Sequence, residues 1–519
     1  MSKKVLLGNE AIARGAYEAG CHVAAAYPGT PSTEILETIA RDFREIKAQW
    51  SPNEKVAFEV AAGASIAGAR VMAAMKHVGL NVAADPLFTF SYTGVNGGFV
   101  IINADDPGAW SSQNEQDNRH FARASKVPMI EPSGPAEAKE FVKLAFELSE
   151  QYDRPFLVRI TTRIAHSQEI VELQERKNVP VREFIRDPKK YVMIPAHAKV
   201  RHRIIEEQLI KLKDYANKSD LNRIEKGTTR RGIICNGVSY NYVKEVCPND
   251  WVLKIGFIWP LPDDKIREFA GMVDELYVVE ELDPFIEDYV KAMGIKVVGK
   301  EIIPLLGELN PEIIDEALNK KKPVKPLPDY TTELPPRPPQ LCKGCPHGFV
   351  FNVLKKLDLH VNGDIGCYTL GVLPPYSAMH SQGCMGASIG MHLGFEKAHG
   401  EAMARKSVAV IGDSTFVHSG ITALIDLVYN KGTGTVIILD NRITAMTGHQ
   451  DNPSTGMTLM GENTYELNLE QLVRALGVKR VVTVDPLKVE EFERVVKEEV
   501  AAAEPSVIIS LRKCVLLKS

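Results

Sequence analysis

Short, mostly apolar runs punctuate this chain and mark its strands. Val23 to Tyr27, Ile233-Ile234-Cys235, Trp251 to Ile255, Leu276 to Val279, Ser407 to Ile411, Thr435 to Leu439 and Val507 to Ser510 are of this kind. Each is too short for a helix and lacks polar alternation, which predicts buried strands. Helical patterns lie between them, from Asn9 to Ala19 and again after Pro31-Ser32-Thr33-Glu34. Strands alternating with helices predict an α/β architecture of parallel sheets flanked by helices.

The pattern changes along the chain in a way that divides it into blocks. Residues 1–166 have the α/β texture. Residues 167–231 are dense in charge and carry one amphipathic stretch, Ile204, Ile205, Leu209, Ile210 and Leu212, which predicts a connector with a helix. A second α/β block occupies 232–320. Seven prolines between Pro323 and Pro339 make 321–340 a stiff extended linker. The last block, 341–519, is α/β again. No repeat recurs at a fixed period.

Composition narrows the class of partner. With 519 residues, several domains of roughly 100 to 200 residues each are expected. Lys and Arg total 62 against 66 acidic residues, a net charge of -4, so no basic field points to nucleic acid or anionic lipid. The N-terminus has no secretory pattern and no run suits a membrane span. A cytoplasmic protein acting on small molecules and meeting protein partners is expected, and its eight cysteines are then core, ligand or catalyst rather than disulfides.

Two strand ends carry the first chemistry. The run ending at Ile411 leads into Gly412-Asp413-Ser414, and the run ending at Leu439 into Asp440-Asn441. Adjacent parallel strands open their carboxyl ends on one crevice, so Asp413 and Asn441 can face the same ion. Magnesium prefers such oxygen ligands and shares its shell with phosphate oxygens, which points to thiamine diphosphate. Two ordinary strand-to-loop turns are the plain alternative, since Asp and Asn favour such places.

Cys342-Lys343-Gly344-Cys345-Pro346 opens the last block, and Cys367 and Cys514 sit at the ends of expected strands of the same block. A sheet that gathers four thiolates offers a [4Fe-4S] site. The same sulfurs would also make a structural zinc site. Thiamine chemistry in the same domain favours iron and sulfide, because it yields electrons that a cluster can accept. Cys21, Cys235, Cys247 and Cys384 have no such company and are expected to pack in the core.

Several stretches together resemble the large, alpha subunit of the indolepyruvate ferredoxin oxidoreductase family, within the 2-oxoacid oxidoreductases. They are Tyr27-Pro28-Gly29-Thr30-Pro31-Ser32-Thr33, Glu59-Val60-Ala61-Ala62-Gly63-Ala64-Ser65, Leu341-Cys342-Lys343-Gly344-Cys345-Pro346-His347, Gly363 to Gly371, Cys384-Met385-Gly386-Ala387-Ser388, Gly412-Asp413-Ser414-Thr415-Phe416 and Asp440-Asn441 to Gln450. The resemblance runs over nearly the whole chain. It implies a multidomain thiamine diphosphate-binding fold: a pyrimidine-binding domain at 1–166, a transketolase C-terminal-like domain at 232–320, and a diphosphate-binding domain at 341–519.

Roles for individual residues follow from the same resemblance. Glu59, expected near a helix start in an apolar setting, would exchange a proton with the aminopyrimidine. Thr30 would donate a hydrogen bond to the 2-oxoacid. Cys384, Met385 and Gly386 would lie against the cofactor, with Gly412, Asp413 and Ser414 at its diphosphate. Asp413, Asn441 and the Ile443 carbonyl would hold magnesium, and Cys342, Cys345, Cys367 and Cys514 one [4Fe-4S] cluster. The implied reaction is oxidative decarboxylation of arylpyruvates to aryl-acetyl-coenzyme A, in a hetero-oligomer with a small beta subunit. Ferredoxin or another acceptor protein would take the electrons. A non-oxidative thiamine-dependent decarboxylase is the alternative enzyme. Two departures from the family pattern stand out. No C-x-x-C-x-x-C run follows Cys514, so one cluster at most is expected in this chain. His380-Ser381 stands where an Asp-Thr pair is expected.

Overall fold

A computed structural model describes residues 2–321, 335 and 337–517. Pro323, Pro326, Pro328 and Pro336 of the expected linker lie outside the described residues. The chain forms two compact units, Met1–Asp329 and Tyr330–Ser519.

The first unit contains β1 (Lys3–Leu7), β2 (Val23–Ala26), β3 (Lys47–Trp50), β4 (Val71–Lys76), β5 (Phe99–Asp105), β6 (Met129–Ile130) and β7 (Phe156–Thr161). It continues with β8 (Gln168–Glu172), β9 (Arg223–Glu225), β10 (Arg231–Asn236), β11 (Trp251–Ile255), β12 (Phe257–Trp259) and β13 (Glu275–Val279). Seven of these form one sheet in the order β12-β6-β7-β5-β4-β2-β3, parallel except where β12 meets β6. Every residue of β5 and β7 is buried, which is what helices on both faces of a parallel sheet require. A second sheet runs β13-β10-β11-β9, with β9 antiparallel at the edge. Because β12 follows β11 after Gly256 and joins the first sheet, the two sheets share a core. That core extends from Phe58 and Phe99 through Met129 and Leu157 to Leu253, Ile258 and Phe269.

In the stretch from 167 to 231, β8 closes antiparallel on β1, and the amphipathic segment is the inner part of a longer helix, Pro195–Lys218. Ile205, Leu212 and Ala216 are buried at spacings of seven and four, a single stripe. Ile210 falls off that stripe and is exposed.

The second unit is built on β14 (His360–Gly363), β15 (Ser381–Gln382), β16 (Ser407–Gly412), β17 (Thr435–Asp440), β18 (Arg480–Val484) and β19 (Ser506–Leu511). They form an all-parallel sheet in the order β15-β14-β16-β17-β19-β18. Successive side chains feed opposite cores. Val408, Val410, Ile437, Leu439 and Ile508 pack with Phe351 and Phe492 on one face. Ala409, Ile411, Val436, Ile438, Val507 and Ile509 pack with Leu424 and Leu427 on the other.

Candidate active site

The chain passes from β14 outward to β15 and then returns to β16 on the other side of β14. Strand order therefore reverses between β14 and β16, the place where open α/β sheets bind ligands at their carboxyl ends. Asp364 follows β14, Asp413 follows β16, and Asp440-Asn441 closes β17.

Asp413 is 3% exposed, and its carboxyl is pushed up to about 7, first by burial and then by the charge of Asp440. The groups that favour its charged form are the Ser414 backbone and the side chains of Asn452 and Ser454. Ser454 Oγ donates to Asp413 at 3.4 Å and to Asn452 Oδ1 at 2.6 Å. No cationic side chain is among them, so this buried carboxylate is one that a metal ion would stabilise. Asn441, at the end of the neighbouring strand, adds a second oxygen; its side-chain oxygen accepts from the Ile443 backbone N–H at 3.3 Å. Thr444 Oγ1 donates to Ser414 Oγ at 2.9 Å.

The Cys384 to Ser388 segment meets the same edge through Asp364. The buried Asp364 carboxylate accepts from the backbone N–H groups of Gly386 at 2.8 Å and Ser388 at 2.9 Å, fixing the turn into helix Ala387–His399. Burial raises the Asp364 pKa, and those backbone donors oppose the shift. Gly386 has φ +84, and a Cβ there would lie 2.4 Å from Ser419 Cβ. Only glycine therefore fits this close approach. Cys384 is exposed, a correction to the packing role expected for it, because it precedes the buried turn instead of lying in it. His380 and Ser381 serve the sheet edge. His380 Nδ1 accepts from the Val361 N–H at 3.0 Å, and Ser381 Oγ donates to Asn362 Oδ1 at 2.8 Å.

The four expected ligand cysteines converge. Cys345 caps helix Pro346–Lys356 and its N–H donates to the Cys342 carbonyl at 3.0 Å. Cys367 opens the 3-10 turn Cys367–Val372, and Cys514 follows β19. The Cys367 thiol is pushed up to about 11 by burial, then by Cys345, Cys514 and Cys342. Cys345 is likewise raised by burial, with Cys342 and Cys514 adding to the shift. The sulfurs are thus near enough to disfavour one another's charge.

In the first unit, Thr30 is half-buried in the loop after β2, and Ser111 Oγ donates to its carbonyl at 3.4 Å. Glu59 lies in the middle of helix Glu54–Ile66. Its side chain is 41% exposed and ion-paired with Lys55, which corrects the expected apolar setting near a helix start. The buried face of that helix carries Ala57, Phe58, Ala61, Ala62 and Ser65, and Glu59 is rotated off it.

Asp364, Asn452 and Ser454 were not among the residues expected at the site. Asp364 had a signal, since it ends a strand as Asp413 does. Asn452-Pro453-Ser454 reads only as a turn.

Residues 364–510 match the model of the thiamine pyrophosphate enzyme C-terminal TPP-binding domain. Residues 14–227 match the thiamine diphosphate-binding model of pyruvate flavodoxin/ferredoxin oxidoreductase. Over its full length the chain is 44% identical to indolepyruvate oxidoreductase subunit IorA of Archaeoglobus fulgidus, covering 87% of that protein. The chain belongs to the indolepyruvate oxidoreductase IorA family. A second family member, from Methanothermobacter thermautotrophicus, is 41% identical over 99% of this chain and 87% of its own length. Among solved structures, 2-oxoglutarate:ferredoxin oxidoreductase from Magnetococcus marinus, determined with 2-oxoglutarate, coenzyme A and succinyl-CoA bound, shares the fold at a TM-score of 0.52. That match has 18% identity and covers 61% of this chain and 65% of that one. This IorA-family chain is accordingly a thiamine diphosphate-dependent 2-oxoacid oxidoreductase of mostly parallel sheets flanked by helices. Among its described residues no helix is long and apolar enough to cross a membrane.

Proposed function

We propose that this chain is the large subunit of a cytoplasmic enzyme that oxidatively decarboxylates arylpyruvates of the indolepyruvate type. Coenzyme A takes the aryl-acetyl group, and the electrons leave through one [4Fe-4S] cluster to ferredoxin or another acceptor protein. A small beta subunit completes the enzyme. Family membership supports the substrate class, since the relatives carry indolepyruvate in their names.

Asp413, Asn441 and the Ile443 carbonyl would hold magnesium, and Gly412, Ser414 and the Cys384-Met385-Gly386 turn would receive the cofactor. Thiamine diphosphate, when bound, supplies the electron sink that decarboxylation of a 2-oxoacid requires. Glu59 is the carboxylate that would exchange a proton with the aminopyrimidine, and Thr30 the donor that would orient the substrate. The observation that carries the redox assignment is the convergence of Cys342, Cys345, Cys367 and Cys514 at the carboxyl edge that also bears Asp413 and Asn441. A tetrahedral zinc site with Zn–S of about 2.3 Å needs sulfurs roughly 3.8 Å apart. A cubane holds its four thiolates farther apart, and metal analysis separates the two. The cluster, when bound, supplies a one-electron acceptor.

Anaerobic purification with the partner subunit, followed by thiamine, metal and sulfide analysis and an arylpyruvate panel, tests the reading. Expected are about four iron and four sulfide per chain and acceptor reduction that depends on arylpyruvate and coenzyme A. Stoichiometric zinc, with carbon dioxide released and no acceptor reduced, would replace it with a non-oxidative decarboxylase.

A further inference from the structure

The loop Asp106 to Asn118 joins β5 to helix Arg119–Ser125, and it is held far more firmly than a surface connection needs. The Asp106 carboxylate accepts from the Ser111 N–H at 2.9 Å, Ser112 Oγ at 2.7 Å and Thr162 Oγ1 at 2.7 Å. His77 Nε2 bonds Asn114 at 3.1 Å. The Glu115 carboxylate accepts from the N–H groups of Gly108 and Gly307. Lys76, at the end of β4, donates to the Ser111 carbonyl at 2.9 Å.

In the middle of this braced loop stands Trp110, 71% exposed. Gly108 at φ +83 and Ala109 at φ +48 turn the chain so that the ring lies over Gly108, where a Cβ would come within 3.0 Å of the indole nitrogen. A tryptophan buries about 150 to 250 Å² when it packs. A flexible loop would fold such a side chain against the protein, and this loop is braced at several points in a form that presents it. Trp110 also has a defined neighbourhood. The next residue, Ser111, bonds the Thr30 carbonyl and receives the Lys76 ammonium. Through Ser111, a flat apolar side chain and the Lys76 ammonium are both tied to the Thr30 loop, matching the two ends of an aromatic 2-oxoacid.

We propose that Trp110 is the stacking platform for the aromatic ring of the 2-oxoacid, making it a specificity-determining residue. The inference rests on the arylpyruvate reading above. Offset or edge-on packing of two aromatic rings contributes binding beyond simple burial. Aliphatic 2-oxoacids have no ring to present to this platform.

The test uses the complex of this chain with its partner subunit and compares wild type, Trp110→Ala and Trp110→Phe. Substrates are indolepyruvate and phenylpyruvate on one side, pyruvate and 2-oxobutyrate on the other. The ratio of aryl to aliphatic kcat/KM should fall about tenfold in the alanine variant and be largely restored by phenylalanine. Arylpyruvate turnover by wild type with an unchanged ratio in Trp110→Ala would overturn the platform alone. A wild-type enzyme that oxidises only aliphatic 2-oxoacids would overturn the substrate class and the platform with it. Equal losses on every substrate, together with weakened binding of the partner subunit, would reassign Trp110 to the subunit interface.

Discussion

The backbone N–H of Cys514 donates to the carbonyl oxygen of Asn441 at 3.0 Å. One step earlier, the Arg512 N–H donates to the Asp440 carbonyl, also at 3.0 Å. The β17–β19 ladder, in register through Asp440 and Leu511, therefore continues past both strands into the candidate site. Distance along the chain suggests that Cys514 serves a cluster alone. The ladder instead ties this cysteine to a candidate magnesium ligand through the main chain.

Side chain and backbone of residue 514 should consequently separate in two variants. Cys514→Ala keeps the N–H and loses the sulfur, so iron content should drop while thiamine diphosphate affinity stays near wild type. Cys514→Pro removes the donor as well and should also weaken cofactor affinity, by about 3- to 10-fold for one net hydrogen bond. Iron analysis and calorimetric titration read the two effects. A proline variant that binds thiamine diphosphate normally would show that the ladder carries no coupling.

Glu59→Gln should keep the fold and bind thiamine diphosphate while losing about 100- to 10,000-fold in turnover, the usual range for a general acid or base. Stability should change little, because the side chain is 41% exposed and its partner Lys55 sits on the same helix face. Near-normal turnover would mean that another carboxylate exchanges the proton.

The sheet of the second unit was legible because Ser407 to Ile411, Thr435 to Leu439 and Val507 to Ser510 are apolar but for one terminal Ser or Thr each, and such runs have few alternatives to a central parallel strand. Asp413 and Asn441 were legible for the same reason, each being the polar end of such a run. Asn452 and Ser454 were not, since their position under Asp413 depends on how the loop after Asn441 folds back. The surroundings of Glu59 were also hidden. Helical phase puts Ala57, Phe58, Ala61 and Ala62 on the buried face, and the apolar letters around Glu59 did not reveal that its own side chain points elsewhere. The short β12 carries too few residues for its return to the first sheet to be read in advance.

Arg159 is 1% exposed between Asp105, at 2.7 Å, and Glu131, at 2.6 Å. Arg159→Leu would leave two buried carboxylates without their cation, which typically costs about 3 to 5 kcal/mol. Asp105 already stands at about 6, raised by burial against the pull of Arg159, and losing the arginine would raise it further. The destabilisation should therefore shrink as pH falls and the carboxylates take up protons. Urea unfolding at neutral and acid pH measures this, and a loss that grows toward acid would contradict the assignment.

Asp413 gives the sharpest pH dependence. Its folded-state carboxyl stands at about 7 against an ordinary 3.8, so protonation favours the cofactor-free fold. That contribution is complete below 3.8 and is lost as pH rises through about 7. Asp413→Asn cannot ionise, so the cofactor-free variant should gain on wild type across that window and keep its advantage above it. Metal binding has the opposite sign, because magnesium needs the carboxylate and must displace its proton. Affinity for magnesium and thiamine diphosphate should rise with pH toward about 7 and level off beyond it, and Asp413→Ala should abolish it while leaving the fold intact. Denaturation of the cofactor-free protein and calorimetric titration with magnesium and thiamine diphosphate on both sides of that pH provide the two measurements. Affinity that ignores pH, or survives in Asp413→Ala, would remove Asp413 from the metal site.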